Sequence, residues 1–236
     1  MMSPLFAEFI GTALLVLLGD GVVANVLLKK TKGHDSGLIV ITIGWGMAVF
    51  VGVLCTAAAS GAHLNPSVTV ALALTDKFPW DQVPGYIAAQ MAGGMAGAFL
   101  VWAVYKKHFE ATADADTKLA VFCTGPAIRG AWGSMVSEIV ATFVLVFAVL
   151  NMAAPRYGLG AMNALPVGLL VVGIGVSLGG TTGYAMSAAR DLGPRIMHAL
   201  LPIPGKRDSD WGYAWIPVIG PLIGAALAAL MYNAKF

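Results

Sequence analysis

Six apolar stretches, 5–28, 37–59, 83–105, 132–153, 162–180 and 213–233, take up most of this chain. Each is close to the roughly 20 residues that cross a hydrocarbon core as a helix. Lipid offers no partner to an open sheet edge, so the stretches read as helices and not as strands. Only 11% of the 236 residues are charged and 58% are hydrophobic, whereas a soluble domain carries about 25% charged residues. The chain therefore reads as an all-α integral membrane protein with little mass left for a soluble domain. A formal net charge of +2 gives no reason to expect a nucleic-acid partner.

Secondary features agree with this. Gly93 and Gly97, and Gly220 and Gly224, have the spacing that lets membrane helices approach closely. Cys55 and Cys123 make no disulfide framework, and Cys55, inside an apolar run, reads as a buried thiol. The start, Met1-Met-Ser-Pro-Leu5, lacks the basic region of a cleavable signal, so the first stretch reads as a permanent span. The polar connections are Lys29–Ser36, a longer mixed-charge loop Lys106–Arg129, Asn151–Gly160 and Pro202–Trp211.

Two further segments, 65–75 and 187–199, are too short to span, and each opens on a good helix start. Asn65 is followed by Pro66, which suits a first helical position, and Ser187 is a good N-cap. They lie in two polar islands that are imperfect copies, Ser60-Gly-Ala-His-Leu-Asn-Pro-Ser-Val-Thr69 and Thr182-Gly-Tyr-Ala-Met-Ser-Ala-Ala-Arg-Asp-Leu-Gly-Pro-Arg195. Gly61 aligns with Gly183, and Asn65-Pro66-Ser67 with Ser187-Ala188-Ala189. Ala7-Glu-Phe-Ile-Gly-Thr12 and Ser137-Glu-Ile-Val-Ala-Thr142 repeat in the same order. The reading is a single domain over 1–236, with repeat halves at about 1–110 and 128–236. Each half has three spans and one half-helix. An odd number of spans gives the halves opposite topology, so the half-helices enter from opposite faces and meet near the midplane.

Two helix N-termini meeting there concentrate partial positive charge, which repels cations and presents hydrogen-bond donors to a neutral permeant. The stretches before the caps, Gly61, Ala62, His63 and Leu64, and Gly183, Tyr184, Ala185 and Met186, are expected to be non-helical. Their carbonyls would form a ladder of acceptors along a pore. Glu8 and Glu138, carboxylates inside the spans, read either as a proton relay or as acceptors for the backbone of the two loops. His63 has no Cys, His or carboxylate at ligand spacing, so no metal site is expected. His198, at the end of the second half-helix, suits that terminus electrostatically.

These islands resemble the two half-helix loops of the aquaporin family, closest to its glycerol-conducting branch, and the resemblance covers essentially the whole chain. It implies the aquaporin-like fold and a narrow selectivity filter mapping onto Trp45, Gly175, Tyr184 and Arg190. Arg190 would be its fixed cation. Water-selective members carry His where this chain has Gly175, so the wider filter here implies room for a carbon backbone against Trp45 and Tyr184. Glu8 and Glu138 would support the loops. Asp191 after Arg190 marks the glycerol branch; physically it can pair with a neighbouring cation, bind loop backbone or complement the helix N-terminus.

The chain also departs from its family. The usual second motif, Asn-Pro-Ala, reads Ser187-Ala188-Ala189, so the cap is kept but an amide donor facing the permeant is lost. Ser67 in place of Ala is a smaller change. The resemblance puts both termini in the cytoplasm, which leaves Lys29, Lys30, Lys32, Lys106, Lys107, Lys118, Arg129, Lys206 and Arg207 outside and only Lys77, Arg156 and Lys235 inside, against the positive-inside rule.

The expectation is a passive channel for glycerol, water and similar neutral solutes, without cofactor or catalysis. It would be a homotetramer in a bacterial inner membrane, with the lipid bilayer as its surroundings. Protonated short acids such as lactic acid are the second choice of permeant. A coupled secondary transporter, and an intramembrane enzyme using Ser187, are the rivals from other classes.

Overall fold

The computed structural model describes residues 2–152 and 160–235. Arg156 and most of the 151–160 connection lie outside them. Among the described residues the regular elements are all helical. They run α1 (Pro4–Leu27), α2 (Leu38–Ser60), α3 (Pro66–Leu74), α4 (Val83–Ala111), α5 (Ala115–Phe122), α6 (Ala131–Asn151), α7 (Leu165–Leu178), α8 (Ala188–Leu200) and α9 (Ile216–Lys235). The order α1 to α4 recurs as α6 to α9. Among the described residues five helices are long and apolar enough to cross a membrane. The sixth, α7, has 14 residues and is extended at its start by a 3₁₀ turn over Gly160–Ala164.

Two sequence expectations are corrected. The 106–129 segment is not a plain loop: α4 continues to Ala111, and α5 follows with Asp114 as its N-cap, accepting from the Thr117 N–H at 2.7 Å. Leu119, Val121 and Phe122 of α5 are buried, so this short helix closes over the end of the bundle. Cys55 is exposed on α2, not buried. Leu54 and Ala57 beside it are exposed too, as expected where the surroundings are lipid.

The small residues mark where backbones cross. A Cβ at Gly46 would sit 2.7 Å from the Gly168 carbonyl oxygen, and one at Gly168 would sit 2.8 Å from that of Gly46. This reciprocal contact between α2 and α7 joins equivalent positions of the two repeats. On α4, Gly97 faces the Ala13 carbonyl of α1 and Gly94 the Ala189 carbonyl of α8. Side chains at those places would push α4 off both neighbours.

Several cations that conflict with the positive-inside rule are bound internally. Buried Lys118 donates to the Pro204 carbonyl, Arg207 pairs with Asp116, and Arg129 pairs with Asp210 at 2.7 Å. Lys206 donates to the carbonyls of His198, Ala199 and Leu201 at 2.6–2.8 Å. Those are orphan acceptors of the α8 C-terminus, so Lys206 acts as its cap. These residues tie the 202–211 connection to α5 and α8, which accounts for their clustering without reference to topology signals.

Candidate functional site

The half-helices α3 and α8 meet at their N-termini. Asn65 is extended (φ −154°, ψ 121°) and its Oδ1 accepts from the Ser67 N–H at 2.8 Å. Ser187 has nearly the same backbone (φ −163°, ψ 125°), and its hydroxyl oxygen accepts from the Arg190 N–H at 3.3 Å. The two ends are tied by the Asn65 Nδ2, which donates to the Met186 carbonyl at 2.8 Å. No return bond from Ser187 to the first loop exists among the described residues.

The loops before the caps are non-helical and share one backbone pattern. Positive φ occurs at Gly61, Ala62 and Leu64, and again at Gly183, Tyr184 and Met186. Such a conformation costs a side-chain-bearing residue on the order of 1–3 kcal/mol and persists only where its surroundings hold it. Glu8 does so in the first loop. It accepts from the His63 N–H at 2.9 Å, the Leu64 N–H at 2.7 Å and the Ser60 hydroxyl at 2.6 Å. Glu138 does the same in the second, accepting from Ala185 at 3.1 Å, Met186 at 3.0 Å and the Thr182 hydroxyl at 2.7 Å. Both carboxylates are fully buried.

One addition breaks the symmetry. Gln90 of α4, also fully buried, donates to Glu8 at 2.8 Å and to Thr69 at 2.9 Å. Gly93 and Gly224 hold equivalent places, where a Cβ would collide with the Phe9 and Ile139 carbonyl oxygens, so the position in α9 that matches Gln90 is Pro221, which has no amide to donate. The sequence reading missed Gln90, although a lone amide in an apolar span was the available signal.

The loops border a cavity of about 260 Å³. Its lining includes Gly61, Ala62, His63, Leu64, Asn65, Ala185, Met186, Ser187 and Arg190, with Asn163, Trp45, Tyr184 and apolar residues such as Leu15, Val49 and Val171. Pro66, Ser67, Ala188 and Ala189 build the helix starts behind this lining. His63 is held by Thr69 at 3.1 Å and by the rings of Phe78 and Tyr86, with centroids at 4.7 and 4.9 Å. Among the described residues no group of metal-binding side chains occurs.

Four expected positions need correction or refinement. Gly183 does not line the cavity; it packs against Thr124. Gly175 does not line it either. A Cβ there would lie 2.6 Å from Thr42 Cγ2 and 2.9 Å from Tyr184 Cζ, so the missing side chain is space filled by the Tyr184 ring. Asp191 is buried and takes two of the roles weighed for it. It pairs with Arg195 at 2.9 Å and accepts from the Thr124 N–H and hydroxyl at 2.7 and 2.6 Å. Arg190, the expected fixed cation, stacks on Trp45 at 4.0 Å from the ring centroid and has the carboxylate of Asp20 3.5 Å away. Asp20 went unremarked in the sequence, although an acid inside the first apolar span was visible in Gly19-Asp20-Gly21.

The sequence profile described as Major intrinsic protein matches residues 1–232. The chain belongs to the major intrinsic protein family. It is thus a multi-pass membrane protein of a channel and facilitator family, and its fold is the aquaporin fold. It is 57% identical over 235 residues to a "Probable glycerol uptake facilitator protein" of Thermotoga maritima, covering 100% of both chains. It is 55% identical to a "Glycerol uptake facilitator protein" of Streptococcus pneumoniae, covering 99% of each. The solved aquaglyceroporin of Plasmodium falciparum is similar in structure, with TM-score 0.85, 28% identity and coverage of 98% of this chain and 94% of that one.

The two loops differ at their helix starts. Ser187 keeps the cap, but through a longer bond than Asn65 makes, and Ala188 gives up the preset φ of proline. Restoring the motif with Ser187→Asn and Ala188→Pro is expected to stabilise the protein by about 0.4–1 kcal/mol through the proline. The same double substitution is expected to shift the water-to-glycerol permeability ratio by about twofold, a barrier change of about 0.4 kcal/mol. Thermal melts in detergent and vesicle flux read the two effects, and identical ratios before and after would remove any role for the altered motif in selectivity.

Proposed function

We propose that the protein is a passive channel for glycerol, water and similar small neutral solutes. The observation that carries this reading is a cavity lined both by hydrogen-bonding groups and by carbon. The donors of Arg190 and Asn65 and the loop backbone border it together with Trp45, Tyr184 and aliphatic side chains. A polyol needs both kinds of surface, one for its hydroxyl groups and one for its C–H groups. Trp45, Tyr184 and Arg190 serve as the selectivity filter, with Gly175 setting where Tyr184 stands. Carbonyls of Gly61 to Leu64 and of Ala185 and Met186 serve as the acceptor ladder. The names of the glycerol facilitator relatives support the same permeant.

Passive transport is favoured over ion coupling because Glu8 and Glu138 are saturated by backbone and hydroxyl donors. A carboxylate so bound has no spare capacity to shuttle a proton. Ser187 is no nucleophile in this reading: its oxygen caps α8 and has no imidazole bonded to it. The protein carries no catalytic activity and needs no cofactor. The outer faces of α2 and α6 expose Ile39, Ile43, Met47, Val136, Val140 and Val144, surfaces suited to lipid and to neighbouring subunits of a homotetramer.

Stopped-flow light scattering on proteoliposomes tests the reading. Rapid glycerol flux with a low activation energy, unaffected by protonophore or sodium removal, is expected. Water flux without glycerol flux would overturn the polyol assignment, and dependence on either gradient would overturn passive transport.

A further inference from the structure

We propose that Asp20 is a specificity-determining residue: it holds the Arg190 guanidinium against Trp45 and offsets its charge, so that the filter passes neutral solutes and excludes small anions. The inference rests on the reading of Arg190 as part of the filter. Asp20 is fully buried in α1, and its Oδ1 lies 3.5 Å from Arg190 Nη1. Its other oxygen, Oδ2, has no hydrogen-bond partner among the described residues. A buried carboxylate left so sparsely bonded is costly, so packing alone does not explain it.

Charge accounting at the filter explains it better. Arginine stays protonated in proteins, so Arg190 places a full positive charge beside the cavity, next to two converging helix N-termini. That combination gives the donors a polyol needs but also attracts anions. The nearest acid in sequence, Asp191, is committed to Arg195 and to Thr124. Among the described residues the only acid in ion-pair contact with Arg190 is Asp20. Asp20 is not among the cavity-lining residues, so it acts through Arg190 and not on the solute. The preceding residue adds to the arrangement. Gly19 lies beneath the Trp45 ring, where any Cβ would collide with it. One turn of α1 thereby seats both the aromatic wall and the cation of the filter.

The test uses the whole channel in proteoliposomes and compares glycerol flux with flux of nitrate, an anion with no neutral form, under a potassium–valinomycin clamp. Asp20→Asn, which keeps size and removes the charge, is expected to raise the nitrate-to-glycerol ratio about fivefold or more. Asp20→Glu, which keeps the charge, is expected to stay near the wild-type ratio. If Asp20→Asn fails to reach the membrane, Asp20→Ser carries the same expectation. An unchanged ratio with normal glycerol flux would overturn the proposal. Loss of glycerol flux with no rise in nitrate, in both neutral variants, would make Asp20 a purely structural residue and overturn it too. A wild-type protein that passes no glycerol would instead bring down the channel reading and this one with it.

Discussion

Glu8→Ala is expected to abolish a stable, conducting protein. Four donors, three of them buried, lose their acceptor at once: the Ser60 hydroxyl, the His63 and Leu64 N–H groups and one N–H of the Gln90 amide. Each unsatisfied donor costs about 1–3 kcal/mol, so the total is roughly 4–12 kcal/mol. The left-handed backbone at Ala62 and Leu64 would also lose what holds it. For a chain of this length a loss of that size lowers the melting transition by more than about 10 °C, and glycerol flux should fall to the vesicle background. Glu138→Ala leaves one orphan fewer, because the second repeat has Pro221 where the first has Gln90. It is expected to be the milder of the two. Melts in detergent, with flux in parallel, check the ranking, and a larger loss from Glu138→Ala would contradict the account based on counted bonds.

Gly175→His is expected to cut glycerol flux at least about tenfold, equivalent to about 1.4 kcal/mol of added barrier, while reducing water flux much less. The reason lies in where Tyr184 sits. A Cβ at position 175 would meet Tyr184 Cζ at 2.9 Å and Tyr184 Oη at 3.0 Å. An imidazole must therefore displace the phenol ring, and that ring borders the cavity beside Arg190. Gly175→Ala should already narrow the pore in the same direction. Were position 175 an empty corner of the lumen, alanine would be nearly silent. The glycerol-to-water permeability ratio of the two variants separates these cases, and an unchanged ratio in Gly175→His would mean that this corner does not limit passage.

Much of the architecture was legible before any coordinates. Six apolar stretches allowed little but helices, and the paired islands at 60–69 and 182–195 announced two half-helices because Asn65 and Ser187 are caps in front of segments too short to span. Glu8 and Glu138 were readable as acids in need of several donors, and the family resemblance assigned them to the loops. What escaped was of two kinds. Helix α5 hid inside a charged connection, where Asp114 signals a start but the four apolar residues after Lys118 are too few to set a period. The roles of Gly175, Gln90 and Asp20 depend on neighbours far away in sequence. Gly175 yields its space to a ring on the following loop, Gln90 completes a network begun by a residue in α1, and Asp20 meets a cation on α8.

The sequence by itself determined the spans and half-helices, their inverted repetition and the two caps, because those follow from residues within one turn or one span of each other. The hydrophobic requirement of the bilayer leaves few alternatives at that range. Only the tertiary structure decided which donors saturate each carboxylate, which side chain fills the place left by Gly175, and which acid balances Arg190. Such outcomes depend on separations of a few tenths of an ångström between α1, α2, α4, α7 and α8, and those are set by how the helices pack, through close contacts such as Gly46 against Gly168. No local pattern in the chain encodes a distance between residues 170 positions apart, yet the 3.5 Å between Asp20 and Arg190 is the kind of distance on which selectivity turns.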